Sequence, residues 1–237
     1  AMGGFDDRNV RAQLLLQPSD NFSLLASAHA RDYDGTSTLF LRGALTRGSN
    51  KTDAPRDSVA YDEADNNPQA YKTYGGSVKA VYDFGNISLT SITAYETTSG
   101  YSRGDTDGGA AANFPVNGVA NGFGQSMGQV RDLDQWTQEV RLGSMGDDRL
   151  SWQAGLFYFD GRDITDFYQR GWFLQGAARN PNNWVRLRNT NTSVAGFGQL
   201  SYKATDQLTL TAGLRQTRDE KRTRLLKTAD TAAGAVT

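Results

Sequence analysis

The sequence predicts an all-β protein, an antiparallel up-and-down transmembrane β-barrel segment of about eight strands. Three observations predict it. Apolar and polar residues alternate with a period of two over paired stretches, the mark of half-buried strands. The turns inside the pairs are short and centre near residues 20, 85, 146 and 206, whereas the links between pairs, roughly 32–72, 97–134 and 161–189, are long and polar. The chain is also too polar to fill an ordinary core: 38% of its 237 residues are hydrophobic, against about 45–50% apolar in a typical domain. Mean hydropathy is −0.58. Yet 11% of the residues are aromatic, which a disordered chain does not carry. A wall one residue thick, wet on one face and apolar on the other, satisfies all three.

The elements follow in order. Val10, Ala12, Leu14 and Leu16 alternate with Arg11, Gln13, Leu15 and Gln17. Pro18-Ser19-Asp20-Asn21 then turns the chain. Phe22, Leu24, Ala26, Ala28 and Ala30 follow, opposed by Ser23, Leu25, Ser27, His29 and Arg31. Tyr74, Gly76, Val78, Ala80 and Tyr82 form the next apolar row, and Phe84-Gly85-Asn86 turns into "ISLTSITAYE". Here the phase slips. Ile87 and Leu89 share one face and Ile92 and Ala94 the other, a change of phase that a bulge would reconcile. Trp136, Gln138, Val140 and Leu142 lead through "SMGDDR" to Leu150, Trp152, Ala154, Leu156 and Tyr158. The last pair runs from Phe197 to Lys221, turning at Ala204-Thr205-Asp206-Gln207, with Leu208, Leu210, Ala212 and Leu214 set against Thr209, Thr211, Gly213 and Arg215. Strands of about ten residues are long enough to cross hydrocarbon when tilted about 45°. The Leu208–Leu214 row is expected to face lipid and the Thr209–Arg215 row a wet lumen. Phe22, Tyr82, Phe84, Trp152 and Tyr202, all near the short turns, are expected to form an interfacial aromatic girdle.

Composition excludes several functions. A net charge of −1 offers no field for nucleic acid. Without cysteine there is no disulfide or thiolate metal site, and with a single histidine, His29, no multi-histidine metal site. No catalytic group, metal or cofactor is predicted. "DYDG" (Asp32–Gly35) and "DTDG" (Asp105–Gly108) mimic the start of a calcium loop but lack its later ligands, so both are read as turns. The start, Ala1-Met2-Gly3-Gly4, shows no signal peptide and reads as an excised segment.

"TQEVRLGS", "SWQAGLFYF", "AGFGQLSYKATDQLTLTAGLRQTRDEK" and "ISLTSITAYE" together resemble the barrel of TonB-dependent receptors, the active transporters of the Gram-negative outer membrane. The resemblance covers most of residues 5–222, in order. It implies a larger barrel with short periplasmic turns, long extracellular loops and an N-terminal plug folded inside. No plug, no TonB-contacting box and no terminal aromatic strand is recognisable, so residues 1–237 are expected to be an internal part of such a barrel. Either the chain sits in a larger ring or it closes on itself as eight strands; the sequence leaves both open. The implied partners are the TonB energy-transducing complex (through the absent plug region), outer-membrane lipid and a small-molecule substrate.

Two regions are candidates for that substrate. Basic residues on the expected lumen face, Arg31 and Arg141 among them, would attract an anionic molecule such as a siderophore, or would pair with acids such as Glu139 and Asp83. The link "DFYQRGWFLQGAARNPNNW" gathers Phe167, Tyr168, Arg170, Trp172, Phe173, Arg179 and Trp184. These would stack on a flat, partly polar ligand, or pack on one another. The expected function is TonB-dependent uptake of a scarce nutrient of the siderophore-iron, cobalamin or carbohydrate class, without enzymatic activity. The alternative is a soluble β-sandwich or propeller that binds carbohydrate through Trp172 and Trp184. A membrane hydrolase built on His29 is a third reading.

Overall fold

The computed structural model describes residues 3–37, 48–52, 67–105, 114–116, 119–121, 124–146, 149–171 and 182–228. Ten strands follow one another: β1 Phe5–Ser19, β2 Phe22–Thr36, β3 Pro68–Asp83, β4 Ile87–Asp105, β5 Phe114–Val116, β6 Val119–Asn121, β7 Gly124–Ser144, β8 Leu150–Gly171, β9 Asn182–Lys203 and β10 Thr209–Thr228. Eight form one antiparallel sheet in the order β1-β2-β3-β4-β7-β8-β9-β10, each long strand beside its sequence neighbours. The short β5 and β6 pair with each other. All four predicted hairpins are present, at the predicted turns. At one of them Asp83 Oδ1 accepts from the Gly85 N–H at 2.6 Å, and Gly85 takes φ 96°, a left-handed conformation that costs a glycine little.

The strands are longer than predicted, 15 to 22 residues rather than about ten. The surplus lies at the long-loop end, where much of the expected polar links is in fact paired backbone. Asp32–Gly35 is such a stretch. It lies inside β2 and is bonded to β1 and β3, so the expected turn there is corrected to strand. Sequence reading stops short because these segments are polar on both faces, and period-two alternation needs a contrast in polarity to be seen. What holds them is the backbone ladder plus polar cross-strand pairs, such as Thr73 to Thr98 at 3.1 Å and Asn189 to Asp163 at 2.8 Å.

Cross-strand register assigns the faces. Leu14, Ala26, Val78, Thr93, Gln138, Tyr158 and Val194 share one row. Leu142, Ala154, Gly198 and Leu214 share another on the same side. This face is apolar and bare: Leu156 is 68% exposed, Leu200 55% and Leu214 81%. Among its polar members, Gln138 donates to Ser91 at 3.0 Å and accepts from Thr93, and Gln216 and Arg218 stand on β10 at the edge of the face. On the opposite face Glu139, Arg141, Phe157, Phe159 and Phe197 are all half-buried. Side chains crowd on the inside of a curve, so the polar face is the concave one. Ile92 and Ala94 belong to it. The expected bulge between Leu89 and Ile92 is absent, and β4 pairs regularly there. Register shifts lie elsewhere, between Leu16 and Ser19 of β1, between Leu225 and Lys227 of β10 and at Arg131 between Val130 and Asp132 of β7.

Among the described residues no second layer covers the apolar face. Among the described residues the only fully buried hydrophobics are Met127, Tyr168 and Ala195, far fewer than a core requires. A sandwich needs two facing sheets, and among the described residues the only other sheet is the pair β5–β6. Nor does the sheet close: among the described residues β1 pairs only with β2 and β10 only with β9. Both edge strands are exposed over their described length.

Candidate functional site: the concave polar face and the loop-end extension

The concave face carries every polar candidate that the alternation placed there, and the structure shows how they are held. His29 Nε2 lies 3.1 Å from Glu96 Oε2, although β3 runs between their strands. The crossing depends on Gly75. A Cβ added there would meet the Glu96 carboxylate at 2.1 Å. A second crossing sits lower on the wall, at Gly155. The Phe197 ring lies over it, so that an added Cβ would meet Phe197 Cζ at 2.5 Å and Arg141 Cβ at 2.9 Å. The Arg215 guanidinium stands 5.3 Å from the Phe157 ring and 5.7 Å from that of Phe197, within cation–π range. Arg141 donates to Glu139 at 3.4 Å. Arg31 forms a fork with Asp7 at 3.0 and 2.9 Å, and its guanidinium lies 5.7 Å from the Tyr33 ring. Both lumen-face arginines singled out in the sequence, Arg31 and Arg141, therefore already have acid partners. The face is polar, largely self-paired and lined with rings.

The extension beyond it is organised by one buried carboxylate. Asp166 of β8 is fully buried. It accepts from Arg186 of β9 at 2.6 and 2.8 Å and from Arg131 of β7 at 3.0 Å. Burial pushes its carboxyl up, but the hydrogen bonds and charges of Arg186 and Arg131 outweigh this and hold it below the usual carboxylate range. The bulge explains Arg131: the extra residue leaves the ladder and brings its guanidinium to the Asp166 side. Sequence reasoning missed this clamp. Its only signal, an acid among polar residues, is shared with every loop in the chain.

The aromatic cluster predicted between β8 and β9 is divided by the strands. Phe167 and Tyr168 are adjacent on β8 and therefore point to opposite faces. Phe167 is 44% exposed on the concave side, while Tyr168 is 4% exposed on the other, in register with Trp184. Arg170 is also a strand residue, opposite Asn182. Trp172, Phe173 and Arg179 lie outside the described residues. Tyr33, Tyr71 and Tyr101, which fall within the links expected at 32–72 and 97–134, are likewise strand residues.

A single-layered meander of long antiparallel strands, wet and concave on one side and apolar on the other, is the architecture of a portion of a β-barrel wall. No protein-family model matches the sequence. The fold does match the crystal structure of the ferric yersiniabactin uptake receptor FyuA from Yersinia pestis, with a TM-score of 0.71 over 94% of this chain at 15% sequence identity. The chain spans 31% of that receptor's length. At such identity the likeness is one of fold.

Proposed function

We propose that the chain is part of the wall of an outer-membrane transport barrel that takes up a scarce nutrient by a TonB-dependent route. One observation carries this reading: a sheet of eight long strands whose apolar face is left bare and whose polar face is concave. Hydrocarbon is the solvent that such a face fits, and water in a lumen suits the other. Two bands of aromatics support the depth. Phe22, Tyr82 and Phe84 cluster at the short turns, with ring centroids 6.3 and 4.6 Å apart. Tyr74, Tyr95, Trp136 and Tyr158 are exposed on the apolar face eight or nine residues from the short-turn ends of their strands. That approaches the run a tilted strand needs to cross the bilayer, about 9–11 residues. The second band was not anticipated from the sequence.

Substrate is captured at the loop end and passed along the concave face. Phe167, Arg31 and Arg141 lie on the path. Tyr168 is packed away from it, and Arg170, Trp172, Phe173, Arg179 and Trp184 are the remaining candidates near the β8–β9 connection. Siderophore-iron, cobalamin and carbohydrate all suit rings beside arginines. The plug that couples such a barrel to TonB is assigned to other sequence. Fractionation and uptake test the reading. The protein should appear in the detergent-extracted outer membrane, and cells lacking either it or TonB should lose uptake of one labelled compound of these classes. Recovery in the soluble fraction, or unchanged uptake of all three classes, contradicts it.

A further inference from the structure

The concave side of β8 carries a file of rings. Phe157 and Phe159 are successive residues on that face, about 7 Å apart along the strand. The ring of Phe197, from β9, continues the file toward the short turns by lying over Gly155, where an added Cβ would meet its Cζ at 2.5 Å. At the upper end Phe159 lies over Gly161 in the same manner, its Cζ 2.8 Å and its Cε1 3.0 Å from an added Cβ. The two glycines let the end rings lie down along the wall instead of standing off it. A ring in that posture presses one face on backbone and turns the other to the lumen. Phe157, Phe159 and Phe197 are half-buried, so part of each stays open on that side. From Gly155 to Gly161 the file runs about 20 Å. Phe167, further up β8 and 44% exposed on the same face, stands at its mouth.

The flanks of the file are polar without a field of one sign. On β7, Thr137 stands in register with Phe159, Glu139 with Phe157 and Arg141 with Gly155. Glu139 and Arg141 pair with each other at 3.4 Å. On β9, Asn191 stands in register with Gly161 and Ser193 with Phe159. Hydroxyls, an amide and a paired ion couple both donate and accept hydrogen bonds. A ferric siderophore carrying negative charge would meet the Glu139 carboxylate beside the middle ring. The corrin plate of cobalamin is broader than a file one ring wide. A chain of sugar rings fits both features. Each pyranose has a face of C–H groups that packs on the electron-rich face of an aromatic ring, and a rim of hydroxyls that donate and accept. We propose that Phe197, Phe157 and Phe159 form a track for a linear oligosaccharide on the concave wall. The track names the substrate class of the uptake reading above and rests on that reading.

The test uses the full receptor in detergent and a panel of linear α- and β-linked hexasaccharides of glucose, mannose, galactose and xylose. A ferric hydroxamate, a ferric catecholate and cobalamin are run alongside. Calorimetric titration gives Kd, and thermal melts report folding. At least one hexasaccharide should bind, and its Kd should rise about tenfold in Phe157→Leu and in Phe159→Leu, near the worth of one aromatic contact. Phe157→Tyr and Phe159→Tyr keep the ring and should bind as the wild type does. Leucine variants that melt lower yet bind with unchanged Kd have rings that only pack the wall, and they overturn the track. Binding of an iron complex or cobalamin, with no hexasaccharide bound, overturns the track and leaves the uptake reading standing. Binding of none of these compounds overturns the track, and recovery of the protein in the soluble fraction overturns the uptake reading with it.

Discussion

Asp166 shows what one side chain does at the loop end. With its carboxylate gone, Arg186 and Arg131 remain as neighbouring cations, and removing one partner of a buried ion cluster costs about 3–5 kcal/mol. Asp166→Asn should therefore loosen the upper ends of β7, β8 and β9, seen as faster hydrogen exchange at residues 124–131 and 164–171 while residues 150–158 keep their protection. Unchanged exchange in the extension would count against the clamp. The wild type should show a matching pH dependence. A carboxyl held low in the folded state contributes stability that is complete above its ordinary pKa, about 4. That stability fades as pH falls below this value through the folded pKa, and Asp166→Asn should abolish the change. Gly155 makes a sharper point about space. An added Cβ would meet not only Phe197 and Arg141 but the Val140 carbonyl oxygen, at 2.9 Å, which a rotamer change does not relieve. Gly155→Ala should cost about 1–3 kcal/mol, the usual price of overpacking. Gly196→Ala, whose nearest neighbour is 3.8 Å away, should be close to neutral in the same thermal melts. Neither crossing glycine is distinguishable by sequence from the chain's other strand glycines, because the ring or carboxylate above each comes from a different strand.

At the scale of a strand, the two faces predict opposite tolerance to charge. Leu156, midway up β8 and 68% exposed on the apolar side, should lose about 2–4 kcal/mol as Leu156→Arg. Thr137→Arg, on the concave face in register with Phe159, should lose little. Urea unfolding in lipid vesicles measures both, and equal costs would remove the distinction between faces. The lower half of each strand was legible because apolar and polar residues alternate there, as in Val10 to Gln17 and Leu208 to Arg215. The upper half was not. In Asp160 to Arg170 both faces are mostly polar, so alternation carries no signal even though every residue is paired. Ile92 and Ala94 misled for a related reason: they are apolar residues on the wet face, opposite Glu139 and Thr137. The Arg131 bulge leaves no mark in the local sequence at all, since its cause is the register of β8 beside it.

For the whole molecule, the open edges dominate. Among the described residues, β1 and β10 each present one unpaired edge over 15 and 20 residues, a template for further strands. The 237-residue chain alone in detergent should associate through these edges, giving concentration-dependent oligomers by sedimentation. A strict monomer at all concentrations would mean that the edges are covered from within the chain. The aromatic residues around 167–184 show the same dependence on scale. As sequence they look like one cluster, whereas the structure separates Phe167 from Tyr168 by the thickness of the sheet.

By itself the sequence determined the eight long strands, the hairpin turns, the absence of a filled core and the assignment of the apolar and polar faces, because each follows from period-two patterning and turn chemistry within a few adjacent residues. Only the tertiary structure decided how far the strands run past the apolar band, that β5 and β6 form a pair of their own, where β7 bulges, which acid holds which arginine, and that the sheet of the described residues stays open. Those outcomes depend on cross-strand register, and register joins residues tens of positions apart whose identities carry no trace of one another.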